Sequence, residues 1–259
     1  MRHDSRILHR LATAIVTAIV TAAALMLCVA SAEAQGTTPA SGADVLRAMH
    51  DRYASTWYST ISFTQATTRR TRADSLIHET WYEAAKLPGR LRIDLGVQDG
   101  AHVLLFNGDS TFAKFTGYPV HRSPGRNPLL ILGFDVYKQP IERTMALLQI
   151  EGFDLATVHT DTLDGHPVYV VGAPAGDSTS KQFWVDRDKL IVVRLLTTGQ
   201  APAIVSDVRF TDYQAIAGGW IAMHVTVTEG GRLMQEERYS NVRANPPLDD
   251  ALFDPTALR

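Results

Sequence analysis

The stretch EAAKLPGRLRIDL, residues 83–95, reads as extended chain folded back on Pro88-Gly89. After the turn Leu91, Ile93 and Leu95 alternate with Arg90, Arg92 and Asp94, which is the period of a half-buried antiparallel strand. The fold depends on what the apolar face of that strand meets. In a sandwich it packs on a second sheet, and in a curved barrel it lines a cavity.

The surrounding chain repeats the extended pattern. Strands are predicted over residues 62–71, 76–86, 90–95, 102–107, 111–116, 153–160, 167–173, 181–186, 191–197, 204–213, 220–229 and 233–242. Explicit turn signals separate them: Asn107-Gly108, Asp164-Gly165, Arg187-Asp188-Lys189, Gly218-Gly219 and Gly230-Gly231. With connections this short the sheet is expected to be antiparallel. Ahead of the strands, Ser41 and Asp44 form a capping signal, and Val45, Met49 and Tyr53 recur at helical spacing, predicting an amphipathic helix to about Ser55.

One segment, residues 119–152, breaks the rhythm with four prolines and no alternation. Asn127-Pro128 is an N-cap followed by proline in the first turn, opening the apolar run LLIL at 129–132. Pro140 starts a second helix whose Ile141, Met145 and Leu148 share a face. These two short helices either plug the sheet as permanent core or form a lid over a cavity.

The N-terminal region carries Arg2, Arg6 and Arg10 against Asp4, then an uncharged run over residues 11–29 and the small-residue site Ala32-Glu33-Ala34. That order predicts a secretory signal covering 1–34, cleaved after Ala34, in preference to a membrane anchor. Leu27 before Cys28 is too large for a lipidation site, so Cys28 is expected to leave with the signal. The remaining chain, 35–259, would then hold no cysteine, which excludes disulfides and thiolate zinc sites. The whole-chain balance of 25 Lys and Arg against 27 Asp and Glu gives no reason to expect nucleic acid. No linker divides residues 35–259, and a single domain is expected.

Motifs of catalysis are missing: there is no G-x-S-x-G, G-x-x-x-x-G-K, H-E-x-x-H or G-x-G-x-x-G. His50, His78, His102, His121, His159, His166 and His224 are scattered singly. Glu236 and Glu237, as neighbours on a strand, face opposite ways and cannot act on one substrate together. Asp186 and Asp188 read as turn formers, and neither cofactor nor metal is expected.

The order of these parts resembles the LolA/LolB-type outer-membrane lipoprotein carriers and their RseB-like relatives. The resemblance rests on the N-terminal helix, ISFTQ at Ile61, KLPGRLRID at Lys86, LLFNGDSTFAKF at Leu104, NPLLIL at Asn127, KQFWVDRD at Lys181 and ALFDP at Ala251. It implies a mainly β fold: an unclosed, strongly curved antiparallel barrel of about eleven or twelve strands with helices over a hydrophobic cavity. Leu87, Leu91, Ile93, Phe106, Leu129, Leu130, Ile131, Ile141, Met145 and Leu148 are then the candidate ligand-binding residues. Two departures stand out. The family's lid-closing arginine directly before the hairpin proline is here Leu87, which removes five donors, and residues 218–250 supply an additional hairpin that is expected to widen the sheet.

The resemblance implies a periplasmic, non-enzymatic carrier of lipid or lipoprotein acyl chains, with an acylated lipoprotein or lipid as partner. Burying a sixteen-carbon chain at roughly 0.8 kcal/mol per methylene supplies on the order of 12 kcal/mol before ordering costs. An envelope-stress sensor using the same cavity and a membrane partner protein is the alternative, and a hydrolase on an unfamiliar scaffold the least favoured.

Overall fold

A computed structural model describes residues 38–198 and 204–258 of the chain. The expected signal and its cleavage site lie outside the described residues. All thirteen strands belong to one antiparallel sheet in the order β6-β5-β4-β3-β2-β1-β13-β12-β11-β10-β9-β8-β7. They are β1 (Thr60–Arg70), β2 (Leu76–Lys86), β3 (Arg90–Leu95), β4 (Val103–Asn107), β5 (Ser110–Lys114), β6 (His121–Pro124), β7 (Val158–Leu163), β8 (His166–Val171), β9 (Gln182–Asp186), β10 (Val192–Thr198), β11 (Val205–Ile216), β12 (Gly219–Glu229) and β13 (Arg232–Ala244). The two outer strands, β6 and β7, do not pair with each other, so the sheet is open.

This is the mainly β, unclosed antiparallel architecture expected, with one strand more than the upper count. The extra strand is β6, which falls inside the segment read as lid. The hairpin of β12 and β13 does not extend an edge of the sheet. It sits at the centre, where β13 pairs with β1 from Ile61↔Ala244 to Arg69↔Gln235.

Helix α1 (Gly42–Tyr53) is capped by Ser41, whose hydroxyl accepts from the Asp44 amide, and buries Val45, Leu46, Met49 and Tyr53. Helix α2 (Pro128–Gly133) begins as expected, with the Asn127 side chain accepting from Leu129 N at 2.9 Å. A single 3-10 turn (Asp135–Tyr137) follows, and then helix α3 (Ile141–Ile150). Both α1 and α3 belong to the main core, which they share with Phe63, Leu91, Ile93, Phe183 and Val225 on the strands. Tyr137 stacks on Trp57 with ring centroids 3.7 Å apart, joining the turn after α2 to the chain leaving α1. The same indole lies on Gly219, where a Cβ would come within 2.7 Å of the ring, so only glycine fits at the start of β12.

The charged side of β3 is not left to solvent. Val103 and Leu105 on β4 pack there with Phe253 and Leu258 from the C-terminal segment. Asp250 in that segment receives Lys86 Nζ at 2.7 Å and Arg90 Nη1 at 2.6 Å, while Arg92 holds the buried Asp94 at 2.8 Å and reaches Leu252 O. The hairpin of the opening stretch is therefore covered on both faces.

Candidate functional site: an apolar cavity with an acidic floor

The inward face of β3 opens onto a cavity of about 260 Å³. Its walls come from eight neighbouring strands, β4 through β1 and β13 through β10. Laid flat, eight strands would span about 34 Å at the usual interstrand spacing. Sharing one cavity therefore requires the sheet to bend around it. Leu129, Leu130, Gly133, Phe134 and Tyr137, from α2 and the turn behind it, cover the open side.

Of the residues expected at a binding site, Leu91, Ile93, Phe106, Leu129 and Leu130 line this cavity. The others do not. Leu87, Ile131 and Leu148 are buried in the core, and Ile141 and Met145 are half-buried against it. The reason is layering: α3 packs on α1, α2 and the turn between α2 and α3, and so lies outside the cover. Within α2, Ile131 and Leu132 are turned from the cavity into full burial.

The cover is tied to the opening hairpin by a buried carboxylate. Asp135, fully buried, accepts from Gly89 N at 2.7 Å and meets Arg126 Nη1 at 3.3 Å. Arg126 also donates to Gly108 O at 3.0 Å and Gln139 Oε1 at 3.0 Å, and approaches Asp109. Gly89 carries φ +83, a conformation that presents its N–H toward the cover and that a side chain would strain. Burial pushes the Asp135 carboxyl up to about 6, against the pull of Gly89 N–H and Arg126. In this tie the cover brings both charges, Arg126 and Asp135, and the hairpin supplies a backbone donor.

Sequence reading missed the polar residues of the cavity. Glu83 on β2 and Glu237 on β13 both line it, with Gln65 and Tyr239 from the strands at and beside the seam between them. Glu237 accepts from the Tyr239 hydroxyl at 2.7 Å and from Gln235 Nε2. The Glu83 carboxyl has no hydrogen-bond partner among the described residues, although its backbone pairs in the sheet. Burial, reinforced by Glu237, raises the Glu83 carboxyl well above the ordinary carboxylate range, and burial raises Glu237 as well despite its two donors. Glu236 points to the other face, where it accepts from His224 and Arg238, so the adjacent glutamates do diverge as their strand positions require. A signal for Glu83 existed in the opening stretch. Its hairpin register sets Glu83 across from Ile93, on the same face as Leu91 and Ile93.

Asp186 accepts from the amides of Asp188 and Lys189, the turn-forming role expected of it. Among the described residues no group of three or more His, Cys, Asp or Glu converges as a metal site would require.

An open antiparallel sheet bent around an apolar cavity, with a short helical cover, defines the class of cavity-bearing open-sheet proteins. The particular form is the LolA-like fold. A LolA superfamily protein from Nitrosomonas europaea matches with TM-score 0.53 and 10% identity, over 82% of this chain and 98% of that one. A domain from Vibrio parahaemolyticus described as outer membrane lipoprotein-sorting matches with TM-score 0.58 and 12% identity, over 84% and 97%. A DUF1329 family protein from Desulfovibrio piger matches with TM-score 0.58 and 16% identity, over 84% and 98%. At these identities the likeness is one of fold. No protein-family model and no curated protein matches the chain.

Proposed function

We propose that the protein is a non-enzymatic periplasmic carrier that holds an acyl chain of a lipid or lipoprotein in this cavity. The observation that carries the proposal is the cavity itself: leucine, isoleucine and aromatic side chains from eight strands, roofed by the apolar face of a six-residue helix. At about 260 Å³ it lies just under the roughly 300–1,000 Å³ of pockets that take drug-sized ligands. It therefore suits one chain and not a bundle of several. The fold neighbour described as lipoprotein-sorting supports the same reading.

Native protein purified from the envelope fraction is expected to release one lipid species per molecule on organic extraction, detected by mass spectrometry. Folded protein that carries no lipid and takes up no acyl-chain probe would remove the proposal.

Entry of a chain requires the cover to move. Amides between residues 129 and 148 are expected to exchange with solvent at least tenfold faster than those of 183–196, because opening the cover leaves the pairing of β9 and β10 intact. Equal protection would mean a permanent plug, consistent with the full burial of Leu130, Ile131 and Leu148.

A further inference from the structure

We propose that Glu83 and Glu237 form the head-group subsite of the cavity, selecting an amphiphile whose polar end is a primary ammonium. This rests on the acyl-binding reading and adds the charge of what is bound. The two carboxyls come from β2 and β13, on either side of β1, and face the same apolar space. Glu83 is only 9% exposed and no group among the described residues donates to its carboxyl. That carboxyl faces the cavity space, where a bound ligand can supply the donor. Glu237 is held in place by Tyr239 and Gln235.

Among the described residues no lysine, arginine or histidine lines the cavity, so its wall holds no positive charge to set against the acids. An anionic head brings no donor and opposes ionisation of the two acids. A neutral hydroxyl would satisfy one acceptor. An ammonium supplies three donors and the missing positive charge together. Phe63 and Tyr239, stacked at 4.4 Å between centroids beside the acids, offer ring faces that also attract a cation. Burial raises both carboxyls above the ordinary carboxylate range, and an arriving cation favours their ionised form. Amine affinity should accordingly fall as pH drops from 8 to 5.

Binding of dodecylamine, dodecanol and dodecanoate to the purified full chain can be followed by the fluorescence of Trp57, Trp81 and Trp220, all in the cavity wall. The amine is expected to bind at least tenfold more tightly than the alcohol, and the carboxylate more weakly than either. The Glu83→Gln/Glu237→Gln double variant should bring amine and alcohol within about twofold of each other. Lysophosphatidylethanolamine preferred over lysophosphatidylglycerol by a similar factor would trace the amine to a phospholipid, and its absence to a free lipophilic amine. Dodecanoate binding as tightly as dodecylamine to the native protein, or an undiminished amine preference in the double variant, would overturn the head-group assignment alone. If folded native protein binds none of the three, the acyl-binding reading fails and the subsite with it.

Discussion

Replacing Asp135 with alanine is expected to destabilise the protein by about 3 kcal/mol, the scale for removing one partner of a buried ion pair. The substitution leaves Gly89 N–H without an acceptor and takes from Arg126 the only fully buried carboxylate it meets. Chemical denaturation measures the loss, and hydrogen exchange should place it first in the cover, residues 128–137. Asp135→Asn separates shape from charge, since an amide oxygen can still accept from Gly89. The native carboxyl titrates at about 6 against 3.8 in the unfolded chain, so the folded state binds the extra proton between those values. Its contribution to stability is fully present below pH 3.8 and is lost as pH rises through 6. Stability from this group should thus increase on acidification from pH 7 to 4 by at most about 3 kcal/mol. The asparagine variant should lack that slope. An alanine variant as stable as the native protein at pH 7 would mean that the cover is not tied down at this point.

Leu91→Glu and Ile93→Glu should each cut uptake of a neutral acyl-chain fluorophore by about a hundredfold, the equivalent of roughly 3 kcal/mol for an unpartnered polar group in the ligand's path. Ile93→Glu is expected to be the more damaging, because it sets a carboxyl directly across from Glu83. Circular dichroism should still report a folded sheet, since the new carboxyl points into open cavity space and not into a close-packed neighbour. Thr80→Glu, on the exposed side of β2, is the control and should leave uptake unchanged. Arg92, though on the outer face of β3, is unsuitable as a control because it holds buried Asp94. If both inward variants unfold and the native protein shows no uptake, the residues around Leu91 are close-packed core and not a container wall.

Most strands were legible because alternation and turn chemistry are local. The Asp164-Gly165 and Gly230-Gly231 turns carry the positive φ values their residue types suit, and the hairpins on either side take their register from them. Two strands were misread for physical reasons. β6, HRSP, has no apolar alternation and ends in proline, yet pairs with β5 as an outer strand where a missing donor is harmless. β7 begins at Val158 and not at Phe153, because Phe153 and Leu155 are buried as loop anchors while Asp154 accepts from Ala156 N. In the site, apolar residues on β3, β4 and α2 followed from periodicity. Glu83 was overlooked because an acid in an alternating strand is ordinarily turned to water. Glu237 as its neighbour was out of reach, since the pairing of β13 with β1 leaves no local trace in sequence.

That pairing divides the sheet into two meanders, β1 to β6 and β7 to β13, each a succession of neighbours in sequence. Contacts within either meander close short loops, whereas the β1–β13 seam brings together Ile61 and Ala244 and carries the largest entropic penalty of any strand pair. The seam should accordingly be the last pairing made in folding. Since Glu83 and Glu237 stand on opposite sides of it, neither half of the chain alone contains the cavity. During synthesis the cavity therefore cannot close before β13 has emerged and paired with β1.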